Sequence, residues 1–215
     1  CYRFACLANT VDSANPLCER FEKETLGDAT VRAKLAQYIC VRLPVDATVE
    51  NEGQRQTLLQ ADSLKEMEGQ PGIAIADFTR RDKSLHGLVV STFPLTTSLY
   101  YEPDKMLTIL DLPCGTLTQR TLIYAVRIHP EKPASAVGQP DSRLASAAES
   151  HARYQASICV QGHQGWQNRF PRLSALLGCT PREVCAESWP GQGLVDSAIE
   201  CVRSPNRPIP AQANS

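Results

Sequence analysis

The stretch Asn15-Pro16-Leu17-Cys18-Glu19-Arg20-Phe21-Glu22-Lys23-Glu24-Thr25-Leu26-Gly27-Asp28-Ala29-Thr30-Val31 decides the reading of the fold. Leu17, Phe21 and the pair Glu24 and Thr25 recur at helical spacing, so a first helix is predicted over about 17–26, with Gly27 stopping it. Asp28 suits the N-cap of a second helix that runs to about residue 36 and carries Val31 and Leu35 inward. Working outward, residues 2–8 alternate loosely and read as a strand, residues 9–16 are turn-rich, and 38–43 form a short β-rich run ended by Pro44. Residues 46–61 are a polar excursion. Ser63 is placed to cap a short helix over 64–68, 69–72 reads as a turn, and 73–78 as a buried strand. Residues 86–93 suit another strand with Leu88 and Val90 on one face, and 104–110 a helix. Strand, helix, strand, excursion, strand, strand, helix is the pattern of a layered α/β domain, and it closes near Pro113-Cys114-Gly115.

From Thr116 the texture changes. Residues 116–129 read as a helix, although Leu122, Tyr124, Val126 and Ile128 would also alternate on a strand. Residues 130–140 contain three prolines and read as a linker or surface loop. An alanine-rich helix is expected over 141–159, another over 164–177 interrupted at Pro171, and a third over 194–203. The expected organisation is therefore an α/β domain over 1–113 and a mainly helical region over 114–215 that ends in a proline-rich tail.

The residues around Cys18 resemble one branch of the thioredoxin-like superfamily, in which the second cysteine of a C-x-x-C runs on into E-x-E-T-[FL]-x-D-x-x-V. Two later landmarks agree in order: Val41-Arg42-Leu43-Pro44-Val45-Asp46, a strand ending in an aspartate, and Gly69-Gln70-Pro71-Gly72-Ile73, a turn entering the next strand. The resemblance covers roughly residues 2–113 and implies a three-layer α/β/α domain with Pro71 as a cis-proline beside the active helix. Dithiol exchange needs a nucleophilic cysteine at the helix start and a second one three residues on. Here the motif is Asn15-Pro16-Leu17-Cys18, and asparagine supplies no thiolate. The resemblance thus implies a redox-inactive module that binds protein or extended peptide in a groove formed by Asn15, Gln70 and Pro71. The alternative is a monothiol oxidoreductase or thiol sensor acting through Cys18, the candidate catalytic residue.

The C-terminal region resembles, more weakly, the CAP (cysteine-rich secretory, antigen 5, pathogenesis-related) superfamily. Ala125-Val126-Arg127, His163-Gln164-Gly165, Arg169, Gly178, Ala186-Glu187 and Ser204-Pro205 carry the likeness. CAP proteins gather two histidines and two acidic residues in a cleft, and some bind metal there. Only His163 and Glu187 fall on those positions, because Asn206 and Arg207 stand where the second histidine would follow Pro205. The region reads as an incomplete CAP-like one.

Composition narrows the function further. The 215 residues are 42% apolar and long enough to bury a core. With 22 basic against 23 acidic side chains, the net charge of −1 argues against a nucleic-acid-coating protein, and the clusters Arg80-Arg81-Lys83 and Arg169/Arg172 are too small to change that. No apolar run approaches the ~18–20 residues of a membrane span. No leader is visible in the residues given, so localisation stays open; Cys1 suits the lipidated first residue of an exported lipoprotein and equally an arbitrary boundary. The nine cysteines are scattered without a C-x-x-C and read mostly as small buried hydrophobes. Cys179 and Cys185, with His151 and His163 upstream, match no standard zinc module, so neither a metal nor a cofactor is expected. G-x-S-x-G, G-x-x-x-x-G-K-[ST] and G-x-G-x-x-G are all missing, which leaves hydrolase and phosphate-binding readings without support.

Overall fold

A computed structural model describes residues 3–7, 15–51, 53–78, 84–185 and 192–201, with side chains for all of these except 3–7, 51, 54 and 201. Pro16 occupies the first turn of α1 (Pro16–Phe21), where a missing N–H leaves nothing unpaired and the fixed φ is already helical. The helix widens into a π-helical turn over Glu22–Leu26 and stops at Gly27, where a Cβ would collide with the Lys23 carbonyl oxygen. Cys18, Phe21 and Thr25 point inward at i, i+3 and i+7, one face of the helical repeat. Asp28 caps α2 (Ala29–Leu35): its Oδ1 accepts from the N–H groups of Thr30 and Val31 at 2.8 and 3.0 Å.

Strand β1 (Arg3–Leu7) is central. It pairs in parallel with β2 (Ile39–Leu43), a connection that α1 and α2 bridge. The polar excursion folds as a separate hairpin of β3 (Thr48–Asn51) and β4 (Gln54–Thr57), followed by two 3-10 turns, Leu58–Gln60 and Asp62–Met67. β5 (Gly72–Ala76) then enters antiparallel to β1, and β6 (Val89–Pro94) antiparallel to β5, giving the order β2-β1-β5-β6. Ile75 sits opposite Ser91 and Ala76 opposite Val89, so a bulge skips Val90.

Alternation along β5 builds two clusters, one on each face of the sheet. Ile73 and Ile75 pack with Phe93, Cys18, Phe21, Val31 and with Met106 and Ile109 of α3 (Pro103–Leu110). Ala74 packs on the other face with Leu59, Leu64 and Met67 from the 3-10 turns. Among the described residues, α-helices therefore cover one face, and short 3-10 turns cover the other.

The core continues past residue 113. Helix α4 (Leu117–Ile128) opens with a capping box between Thr116 and Gln119, which settles the helix-or-strand ambiguity over 116–129. It packs on β6, on α3 and on α7 (Leu194–Cys201). Tyr124 and Val195 join the cluster that holds Phe93 and Tyr101. Arg120, 1% exposed, threads between these elements: its Nε donates to Ser91 Oγ at 2.6 Å and its Nη1 to the carbonyls of Leu112 and Pro113, both at 2.8 Å. Helices α5 (Ser142–Ile158) and α6 (Trp166–Leu177) stand further out, tied to each other by Arg143 Nη1 donating to the Leu176 carbonyl at 2.8 Å. The protein is thus of mixed helix and sheet, and no helix among the described residues is long and apolar enough to cross a membrane.

Several expectations are corrected. The Gln70–Pro71 bond is trans, not cis; the reversal before β5 is made by Glu68 and Gly69, both left-handed with φ of 53° and 71°. Ser63 lies inside its 3-10 turn, which starts after Ala61 without a side-chain cap. The strand expected from His86 begins only at Val89, and Leu88 is exposed while Val90 is buried, because residues 84–88 still turn. Pro171 does not interrupt α6. Nor are the six cysteines whose side chains are described mostly buried: Cys18 is, Cys185 is half-buried, and Cys40, Cys114, Cys159 and Cys179 are exposed, Cys40 lying on β2 at the end of the strand order.

Candidate functional site

Asn15 caps the start of α1, at the position the expected thioredoxin-like motif gives to a nucleophile. Asn15 is extended (φ −101°, ψ 95°), and its Oδ1 accepts from the Leu17 N–H at 3.1 Å. Its carbonyl oxygen accepts from the N–H groups of Cys18 and Glu19 at 3.0 and 3.2 Å. Both polar ends of Asn15 serve the first turn of the helix, as an N-cap does. Cys18 is 4% exposed and packed in the main core.

Gln70 and Pro71 are held by a different set of bonds. Gln70 is exposed, and its N–H donates to the Met67 carbonyl at 2.8 Å. Pro71 is buried, and its carbonyl accepts from the Leu95 N–H at 2.7 Å. Proline has no N–H, so the main chain at this pair offers an extended peptide little beyond the Gln70 carbonyl.

The second expected pair is not seen together, since Glu187 lies outside the described residues. The carboxylate that meets His163 is that of Glu183, whose Oε1 lies 2.9 Å from His163 Nδ1. Glu183 is also clasped by Arg169 through both guanidinium ends, with Nη2 2.8 Å from Oε1 and Nη1 on Oε2. These hydrogen bonds, Arg169 first and His163 next, hold the Glu183 carboxyl down at about 2 against its burial. Around this pair stand two more groups. His151, buried on α5, has Nε2 3.0 Å from the Gly162 carbonyl oxygen and 3.9 Å from Glu183 Oε1. Cys185 Sγ lies 3.1 Å from the Gly162 oxygen and 3.6 Å from both His163 Nδ1 and Glu183 Oε1.

Local structure explains how these residues meet. Asp141 caps α5 and Cys159 ends it in the left-handed region, φ 52°. Left-handed Gly165 then starts α6, so residues 159–165 carry Gly162 and His163 back past His151. Trp166 and Arg169 stack in the first turn of α6, the guanidinium carbon 5.3 Å from the ring centroid, and this aims Arg169 at Glu183. Glu183 and His151 went unread in the sequence as a pair, although two signals existed: His151 and Gln155 share a helix face at i, i+4, and Glu183 and Cys185 share a side at i, i+2.

The cluster is not a nucleophilic triad. A relaying imidazole takes the nucleophile on one ring nitrogen and the acid on the other, whereas Cys185 and Glu183 both approach Nδ1 of His163. Burial and the adjacent Glu183 carboxylate also push the Cys185 thiol up, away from the thiolate. Compared with protein-family models, with curated proteins and with solved structures, the chain matches none.

Proposed function

We propose that this chain is a thioredoxin-like protein that has lost dithiol chemistry and acts as a redox-inactive module binding protein or extended peptide. The observation that carries the reading is Asn15: the nucleophile's position is committed to capping α1, and the cysteine three residues on is buried. The order β2-β1-β5-β6 supports it, with a helix-bridged parallel pair followed by an antiparallel pair and α3. Burial of Cys18 weighs against the monothiol alternative, which needs an accessible thiolate. The bonds of Gln70 and Pro71 move the expected binding surface away from the main chain of that turn. The CAP-like reading of 114–215 pairs His163 with Glu187, which lies outside the described residues; among those, Glu183 is a partner of His163.

The test is reduction of insulin disulfides by the full chain beside its Asn15→Cys and Cys18→Ser variants. The expected result is no turnover by the natural chain and a gain of turnover in Asn15→Cys, which rebuilds the missing cysteine at a helix start. Turnover by the natural chain that vanishes in Cys18→Ser would establish the monothiol enzyme instead.

A further inference from the structure

We propose that His151, Glu183 and Cys185, with His163 beside them on Glu183, form a three-ligand binding site for a thiophilic divalent cation, zinc foremost, that staples the α5–α6 unit to residues 181–185. The site is independent of the redox reading of α1, and it is a different constellation from the His163 and Glu187 pair.

The donor set selects the metal class. An imidazole nitrogen, a carboxylate oxygen and a sulfur suit zinc and its close neighbours, and the sulfur and imidazole disfavour calcium and magnesium. The ligand atoms of His151, Glu183 and Cys185 all lie within 4.8 Å of one another. Zinc bonds of about 2.0–2.3 Å in a tetrahedron give edges of roughly 3.3–3.6 Å. The separations are 3.6 Å from Cys185 Sγ to Glu183 Oε1, 3.6 Å from Cys185 Sγ to His163 Nδ1, 3.9 Å from His151 Nε2 to Glu183 Oε1 and 2.9 Å from His163 Nδ1 to Glu183 Oε1. The three ligand atoms of His151, Glu183 and Cys185 are close enough to share one centre, with the fourth position left to water.

Hydrogen bonding around Gly162 points the same way. His151 Nε2, Cys185 Sγ and Gln155 Nε2 all converge on one carbonyl oxygen, which has two lone pairs. On metal binding Cys185 gives up its S–H proton to solvent and His151 binds as the tautomer without a proton on Nε2, so Gln155 remains as the donor to Gly162. Arg169 holds the carboxylate by both oxygens, Nη2 donating to Oε1 at 2.8 Å and Nη1 to Oε2, and fixes its orientation, the part that outer partners of metal ligands play. His163, 57% exposed at its side chain, leaves an entry path.

The experiment uses the full chain, stripped with a chelator, reduced, and titrated with Co²⁺ and then Zn²⁺. The expected result is one equivalent of Co²⁺ bound, with the intense visible bands of a tetrahedral centre and a thiolate-to-cobalt charge-transfer band that Zn²⁺ abolishes. Cys185→Ser should lose that band and weaken affinity by on the order of 100-fold, since losing an outer partner alone costs 10–100-fold; Cys179→Ser should change neither. Should Cys185→Ser fail to fold, alkylation mapped by mass spectrometry on the natural chain decides: zinc should protect Cys185 and leave Cys179 and Cys159 reactive. Cobalt without a thiolate band, an unchanged band in Cys185→Ser, or no zinc-dependent protection of Cys185 would overturn the proposal.

Discussion

Tyr101 carries an unusual burden for a single residue. It is 1% exposed, its ring packs edge-on to Phe93 with centroids 5.5 Å apart, and its hydroxyl has no hydrogen-bond partner among the described residues. Burial holds its phenol well above the ordinary value. A buried hydroxyl without a partner costs about 1–3 kcal/mol, and removing it while keeping the ring recovers part of that. Tyr101→Phe is therefore expected to unfold at equal or higher denaturant, by up to about 1 kcal/mol, in an equilibrium urea titration; a clear loss would mean that the hydroxyl has a partner. At the same scale Asn15 and Cys18 were legible in sequence, because spacing alone puts both at a helix start. That Asn15 is the cap of α1 needed the 3.1 Å bond to Leu17.

Side chains cap the starts of α1, α2, α4 and α5, whereas α3 and α6 begin without one. Asp28, Thr116 and Asp141 each accept from N–H groups two or three residues on; the starts of α2 and α5 are readable from short-range sequence, whereas the alternation of Leu122, Tyr124, Val126 and Ile128 leaves α4 open to a strand reading. Asp141 is also hydrogen-bonded by the Arg143 side chain and by backbone N–H groups, and Arg143 chiefly holds its carboxyl down at about 2. A carboxyl depressed in the folded state from an ordinary ~3.9 adds stability that is present above pH ~4 and is lost as pH falls toward 2. The helix signal of the natural chain, followed by circular dichroism during thermal unfolding, should lose midpoint between pH 4 and pH 2 more steeply than that of Asp141→Asn, which keeps the cap and cannot titrate. Equal slopes would show that Asp141 is no more than a surface carboxylate. Ends of elements were less legible. The late start of β6 and the passage of α6 through Pro171 depend on neighbours in space, not on nearby residues.

For the whole molecule the informative feature is the core that crosses residue 113. Phe93 and Tyr101 meet Tyr124 of α4 at ring-centroid distances of 4.8 and 6.1 Å, and Val195 of α7 joins the same cluster. Arg120 adds a buried guanidinium whose bonds run to β6 and to the end of α3. A fragment of residues 1–113 would leave this face open. Losing a single large buried aromatic costs about 3–5 kcal/mol, a large part of the ~5–15 kcal/mol that stabilises a typical domain. The fragment is expected to lack a cooperative melting transition and to bind a hydrophobic dye, whereas the full chain melts cooperatively; a cooperative fragment would make 1–113 a self-sufficient domain.

Sequence alone determined what depends on short range: the α/β succession through residue 110, the helix start at Asn15, the Asp28 cap and the absence of a second cysteine at that start. Each rests on spacings of a few residues, where backbone geometry leaves little freedom. Tertiary structure decided what depends on long range. It gave α4 and α7 to the core of the sheet, turned the Pro71 carbonyl inward to Leu95, and set His163 against Glu183 with His151 and Cys185 beside them. His151, His163 and the Glu183–Cys185 pair lie 12 to 34 residues from one another, and no local propensity encodes such a distance. Only packing, which turned residues 159–165 back along α5 and aimed Arg169 at Glu183, brought them to one place.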